Sequence, residues 1–355
     1  MHEDLSKAAK ALGAVIPNIA HAADQTRQDL EAFKSVVLHD LQQSNITNPN
    51  GADLVLVGSI ARQETTRGSD CDYMVLQNGC LPHVSRKLLQ IGNHARIEVG
   101  YGAPGQQGVF GDIVVAGSLY ERIGLEADTN QNLTHRMLLL TESTSLLSSA
   151  TNDTYNKTIE NILTRYCSDY SPPQRQEDSP AKVPRYFVND LIRFWRTMAV
   201  DFGAKRWRSS VDQSFFRLIK LRTSRKILFA GPLCSLLLVP NRTKVVKELP
   251  QYLRQWLSKP PLAQLASIAS DERMLLSNPT KEALKSILED YDKLLSFFDG
   301  SGVRTALQDP TKATPFFKQI AKECQEIADN IEENLERIFF DDPVFKYPFR
   351  KYSVF

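Results

Sequence analysis

The stretch Val55–Gln77, VLVGSIARQETTRGSDCDYMVLQ, sets the reading of the N-terminal half of this chain. An apolar run ends in Gly58-Ser59, ten residues intervene, and Asp70 and Asp72 then open a second apolar run. The pattern predicts a strand over Leu54–Val57, a small-residue turn, one to two turns of helix over Ile60–Thr65, and a strand over Tyr73–Leu76. Residues i and i+2 of a strand share a face. Asp70 and Asp72 therefore stand side by side, with Cys71 turned the other way as a buried small side chain. Two adjacent carboxylates repel each other unless a cation lies between them. Hard oxygen ligands at this spacing suit Mg²⁺ (or Mn²⁺), which keeps waters and takes phosphate oxygens as further ligands.

Working outward, Gly58 lets the backbone approach a phosphate, and the N–H groups that follow it favour an anion. Arg62 and Arg67 lie between the two halves of the pattern, where they either reach phosphates or sit as surface arginines. Pro82–Ile91 is predicted helical, Arg96–Gly100 and Ile113–Ala116 as further strands, and the glycine-rich Gly100–Gly111 as a long mobile loop near the site. Asp128 with Gln131 has the spacing of a capping box for the helix through Leu138–Leu140. On or after that helix, His135 reads as structural or surface, and Glu142 and Ser143 as packing or capping residues.

The rest of the chain has another character. Residues 4–45 carry Leu30, Phe33, Val37 and Leu41 at helical spacing, giving one or two N-terminal helices. Ser168–Pro184, with four prolines, marks a linker or surface loop. Beyond it almost everything is helical. Phe187, Leu191, Phe194, Trp195 and Met198 form an apolar stripe that leaves Arg193 and Arg196 near a polar face. Further helices are expected at Gln213–Phe229, Val245–Leu257, Lys281–Phe298 and Phe316–Phe339, with an aromatic, basic tail docked on the body. The expected division is a catalytic domain over 1–167, a linker over 168–184 and a helical domain over 185–355.

Of the 355 residues, 42% are hydrophobic and 24% charged, as in a soluble globular protein. No apolar run is long enough for a membrane span, and the first residues lack a signal peptide's apolar stretch. Five scattered cysteines without metal-ligand spacing fit a reduced, cytoplasmic setting. The net charge is only +2, yet Lys182–Lys226 holds 12 Lys or Arg against three Asp. That excess favours a polyanionic partner, either a nucleoside triphosphate or a nucleic acid. Arg193 and Arg196, or Lys220, Arg222 and Arg225, are candidate contacts for it, and Trp207 a candidate for stacking on a base.

The combination of apolar strand, Gly58-Ser59, Asp70-x-Asp72 and second strand resembles the nucleotidyltransferase superfamily whose fold is shared with DNA polymerase β. The resemblance covers Ala52–Gln77 clearly and Asn45–Ser148 more loosely. It implies an α+β fold, with a small mixed-sheet core, flanking helices and an attached helical domain. It also implies that Gly58 and Ser59 cradle a triphosphate, that Asp70 and Asp72 bind two metal ions, and that Ser69 precedes the first of them as in many members. The family supplies a third carboxylate from a neighbouring strand; Asp112 in GDIVVAG is the first candidate and Glu98 in RIEVG the second. The expected reaction moves an NMP from an NTP donor to an acceptor hydroxyl and releases pyrophosphate. The acceptor stays open, with RNA, including tRNA, favoured over an aminoglycoside-like molecule by the basic stretch. Two alternatives stand beside it: a catalytically silent nucleotide- or RNA-binding regulator on the same fold, and a toxin- or defence-type enzyme acting on tRNA.

Overall fold

The computed structural model describes residues 1–46, 49–105, 109–168, 180–208, 214–271, 273–300, 303, 306 and 314–354. The fold is α+β, mostly helical with one four-stranded mixed sheet. Two compact units are present. One consists of Ala23–Pro180 with Val245–Ser258, the other of Met1–Ala22, Ala181–Lys244 and Lys259–Phe355. Residues 1–22 and 245–258 thus fold with the opposite unit from the one the linear division gave them. The middle of the expected linker, residues 169–179, lies outside the described residues.

In the sheet unit, β1 (Ala52–Val57) lies antiparallel to β2 (Asp72–Gln77), with Val57 opposite Asp72. On the far side of β2 runs the parallel strand β3 (Ile113–Val115), and on the far side of β1 the antiparallel strand β4 (Ser143–Ser145), giving the order β3-β2-β1-β4. Every residue of β1 is buried, as expected for a central strand covered on both faces. One face, with Leu54, Leu56, Tyr73 and Val75, packs against Phe33, Val37 and Leu41 of α2 (Pro17–Gln43) and Leu88, Ile91 and Ala95 of α3 (Pro82–Val99). The other face carries α6 (Thr154–Ser168), in a layer with α4 (Ala116–Tyr120) and α5 (Asn130–Thr141). Leu249–Leu257 packs on α6, where Arg254 donates to the Asn156 side chain at 2.8 Å.

Several expectations are corrected here. Ile60–Thr65 forms turns, not a helix: Gln63 adopts φ of 61°, which ends helical geometry. Arg96–Gly100 is not a strand but the end of α3, because the 3.6-residue spacing of Leu88, Ile91 and Ala95 continues to Val99. Gly100 then stops the helix at φ of +88°, its N–H bonding back to the Arg96 and Ile97 carbonyls. The cap of α5 is Thr129, which accepts from the Asn132 N–H at 3.1 Å. Asp128 has been drawn away to the buried guanidinium of Arg136, which it meets at 2.9 and 3.1 Å. Arg136 also donates to the Tyr166 hydroxyl at 2.7 Å and the Leu119 carbonyl at 3.2 Å, joining α4, α5 and α6 around one buried cation.

The helical unit holds α1 (Glu3–Leu12), α7 (Arg185–Arg208), α8 (Ser214–Arg222), α9 (Ser224–Leu237), α10 (Asn278–Asp299) and α11 (Pro315–Glu336), with shorter helices between them. The expected Gln213–Phe229 helix is two, broken at Thr223, whose ψ of −91° departs from helical geometry; Gln213 itself is outside the described residues. The apolar stripe of α7 is buried at Phe187, Leu191 and Phe194. The tail docks as anticipated: Phe345 is fully buried, and its ring stands 5.7 Å from that of Phe339.

Candidate functional site

The candidate site lies where β1 and β2 end together. After Val57 the chain turns through Gly58 at φ of +79°, a left-handed conformation that favours glycine. A Cβ on Gly58 would stand 3.6 Å from Asp72 Oδ2, at ordinary van der Waals distance, so the turn lies directly against that carboxylate. The other oxygen, Oδ1, accepts the Gly105 N–H at 2.9 Å. Backbone contacts of the glycine-rich loop thus orient Asp72, and residues 106–108 of that loop lie outside the described residues.

Cys71 is buried with the α2–α3 core, and burial together with the Asp72 charge pushes its thiol up to about 12. Strand alternation puts Asp70 and Asp72 on the opposite side from it, as the sequence requires. Asp70 is exposed and bridges in parallel fashion to Gly102, where a Cβ would come within 3.2 Å of Asp70 Oδ1.

The two third-acid candidates separate. β3 pairs Val75 with Ile113, so Asp112 takes the register position of Met74, on the same sheet face as Asp72. Asp112 is exposed, and its carboxylate accepts the Ile113 N–H at 2.7 Å. Glu98 lies instead in the last turn of α3, exposed and 3.6 Å from His94, so the strand position it needed does not exist. Among the described residues no three His, Cys, Asp or Glu side chains gather into a metal-ligating group.

The phosphate candidates are disposed differently from the expectation. Ser59 is half-buried beside Gly58. Arg62 is buried, with its guanidinium paired to Glu142 and Glu64, and is not the surface arginine that the sequence also allowed. Arg67 is exposed in the turn before Ser69. The Ser69 hydroxyl accepts the Thr66 N–H at 3.0 Å and closes that turn. Glu142 has the larger part: besides its ion pair, its carbonyl accepts the Gly58 N–H at 3.2 Å. The Arg62–Glu142 pair spans 80 residues of sequence; the signal for it is a glutamate two residues after the apolar run Met137–Leu140.

No model of a known protein family and no curated protein sequence matches this chain.

Other groups around the sheet are structural. His135 Nε2 lies 2.8 Å from the Val109 carbonyl, and burial lowers its pKa. Asp53 on β1 is buried, takes hydrogen bonds from the Ser145 hydroxyl at 2.7 Å and the Leu147 N–H at 3.2 Å, and is raised by burial to about 6.

In the helical unit the basic stretch is partly neutralised within the fold. Arg222 pairs with Asp329 and Glu332, Lys226 with Glu332, Arg193 with Asp190 and Lys205 with Asp201. Arg196 and Arg217 are exposed, and Trp207 is 91% exposed on the last turn of α7.

Proposed function

We propose that this chain is a metal-dependent nucleotidyltransferase that moves an NMP from an NTP to an acceptor hydroxyl. The observation that carries the proposal is the meeting of Asp72 with the left-handed Gly58 turn, with Asp70 alongside and Asp112 in register on the same face. The donors are all hard carboxylate oxygens, and Mg²⁺ needs only one or two of them when water and phosphate complete its shell. Asp70 and Asp72 would hold such an ion, which when bound neutralises charge on phosphoryl oxygens. Gly58 and Ser59 would orient the triphosphate through backbone and hydroxyl groups. Asp112 would accept the proton of the attacking hydroxyl. Five free cysteines are consistent with the reduced cytoplasmic setting in which an NTP-using enzyme works. No described helix is long and apolar enough to cross a membrane.

A screen of labelled NTPs against total RNA, proteins and no acceptor tests the activity and identifies the acceptor. Transfer in the wild type and its loss in a folded Asp70→Ala/Asp72→Ala variant support the proposal. Transfer retained in that purified variant overturns it.

A second reading, a catalytically silent nucleotide-binding regulator, is favoured by Arg62 being buried in an ion pair with Glu142. Saturable NTP binding with no label transferred to any acceptor would select it.

A further inference from the structure

The two backbone groups of Gly58 are held by two residues that also hold each other. The Gly58 N–H goes to the Glu142 carbonyl at 3.2 Å, and the Gly58 carbonyl takes the Arg62 N–H at 3.0 Å. The Arg62 guanidinium then closes the ring on the Glu142 carboxylate, with Glu64 on its other side. Both ends of the Arg62–Glu142 pair are withdrawn from water, the side chains being 4% and 1% exposed. Burying charge in this way adds little to stability, since an apolar trio of similar volume usually holds a fold as well or better. What the charged trio supplies is direction: a guanidinium fork fixes both distance and angle to its carboxylates.

We infer that the Arg62–Glu142 pair is a positioning device for the Gly58-Ser59 turn, setting the backbone that receives the triphosphate; the inference rests on the nucleotidyltransferase reading. Arg62 and Glu142 touch no substrate in this account. They act through Gly58, whose turn would otherwise be free to shift by fractions of an ångström. Small displacements of binding groups carry large kinetic penalties.

The test separates positioning from stability. Arg62→Met/Glu64→Gln/Glu142→Leu replaces the trio with an uncharged set of similar bulk, and Glu142→Gln keeps a hydrogen-bond acceptor without the charge. Triphosphate Kd is measured with a fluorescent ATP analogue and with GTP in the presence of Mg²⁺, alongside thermal unfolding and, where transfer is seen, the separation of KM from kcat. The triple variant is expected to unfold at or above the wild-type temperature yet bind triphosphate roughly 10- to 100-fold more weakly. The effect should fall on KM more than on kcat, with Glu142→Gln intermediate. Should the triple variant fail to fold, Glu142→Gln alone decides by its Kd. A folded variant that binds triphosphate as tightly as the wild type overturns the positioning role while leaving the transferase reading intact. A wild type that binds no triphosphate overturns both.

Discussion

In the sheet unit Arg62 and Arg136 are withdrawn from water onto Glu142 and Asp128, whereas in the helical unit Arg222 meets Asp329 and Glu332 at a surface still open to solvent. The contrast follows from what each arginine joins. Arg62 and Arg136 sit where several elements converge on the sheet, and each pairs with carboxylates largely withdrawn from water. Arg222 and Lys226 link α8 and α9 to the acidic face of α11, a contact that water and salt can replace. The same residue type therefore acts as a geometric lock in one unit and as a screened surface tether in the other.

The widest effect is expected at the Asp70 and Asp72 carboxylates. Asp72→Ala should lower nucleotide transfer by about 10³-fold or more, the order expected when several kcal/mol of charge stabilisation are removed. Its urea unfolding curve should stay close to that of the wild type, and transfer at wild-type rates would place the chemistry elsewhere. Next comes the buried lock. Arg136→Met strands Asp128 without its cation and should cost about 3–5 kcal/mol of stability, read by urea unfolding. A loss below about 1 kcal/mol would put Arg136 in the same class as the surface tethers.

Asp53 sharpens the comparison through pH. Its folded pKa, about 6, lies above the ordinary value of 3.8, so the folded state holds this proton more tightly than the unfolded chain does. The stabilisation is complete below about pH 4 and is lost as pH rises through 6, amounting to about 3 kcal/mol. Asp53→Asn keeps the hydrogen-bonding shape and removes the titration. The stability of the variant relative to wild type should therefore climb between pH 4 and pH 7; a flat difference would show that Asp53 does not titrate in that window. Smallest of all, Arg222→Gln should cost at most about 1 kcal/mol, and that cost should shrink in high salt. An equal loss at low and high salt would make this pair a lock like Arg136.

How much of this was legible in sequence depends on the range of the interaction. Strands β1 and β2, the alternation of Asp70, Cys71 and Asp72, and the turn at Gly58 were readable because period-two patterning and glycine are local signals. Arg96–Gly100 misled because RIEVG alternates like a strand over five residues, while its true period appears only when read back to Leu88. At Asp128 a good local capping pattern lost to a buried arginine eight residues on, whose desolvation had to be offset. The Arg62–Glu142 and Arg222–Glu332 pairs span 80 and 110 residues, and side-chain pairing at that separation leaves no periodic trace.

The threading of the chain through its two units bears on synthesis. Residues 1–22 belong to the helical unit, 23–180 to the sheet unit, 181–244 to the helical unit, 245–258 to the sheet unit and 259–355 to the helical unit again. On an emerging chain, α2 is made early, yet the Asp292 carboxylate that accepts the Ile19 N–H at 2.8 Å and the Asn18 amide at 2.7 Å arrives 273 residues later. The sheet, too, waits for Leu249–Leu257 before α6 is covered. Neither unit can therefore be finished and set aside while the ribosome makes the other. A chain halted at residue 180 would carry all four strands and still lack part of the unit that contains them.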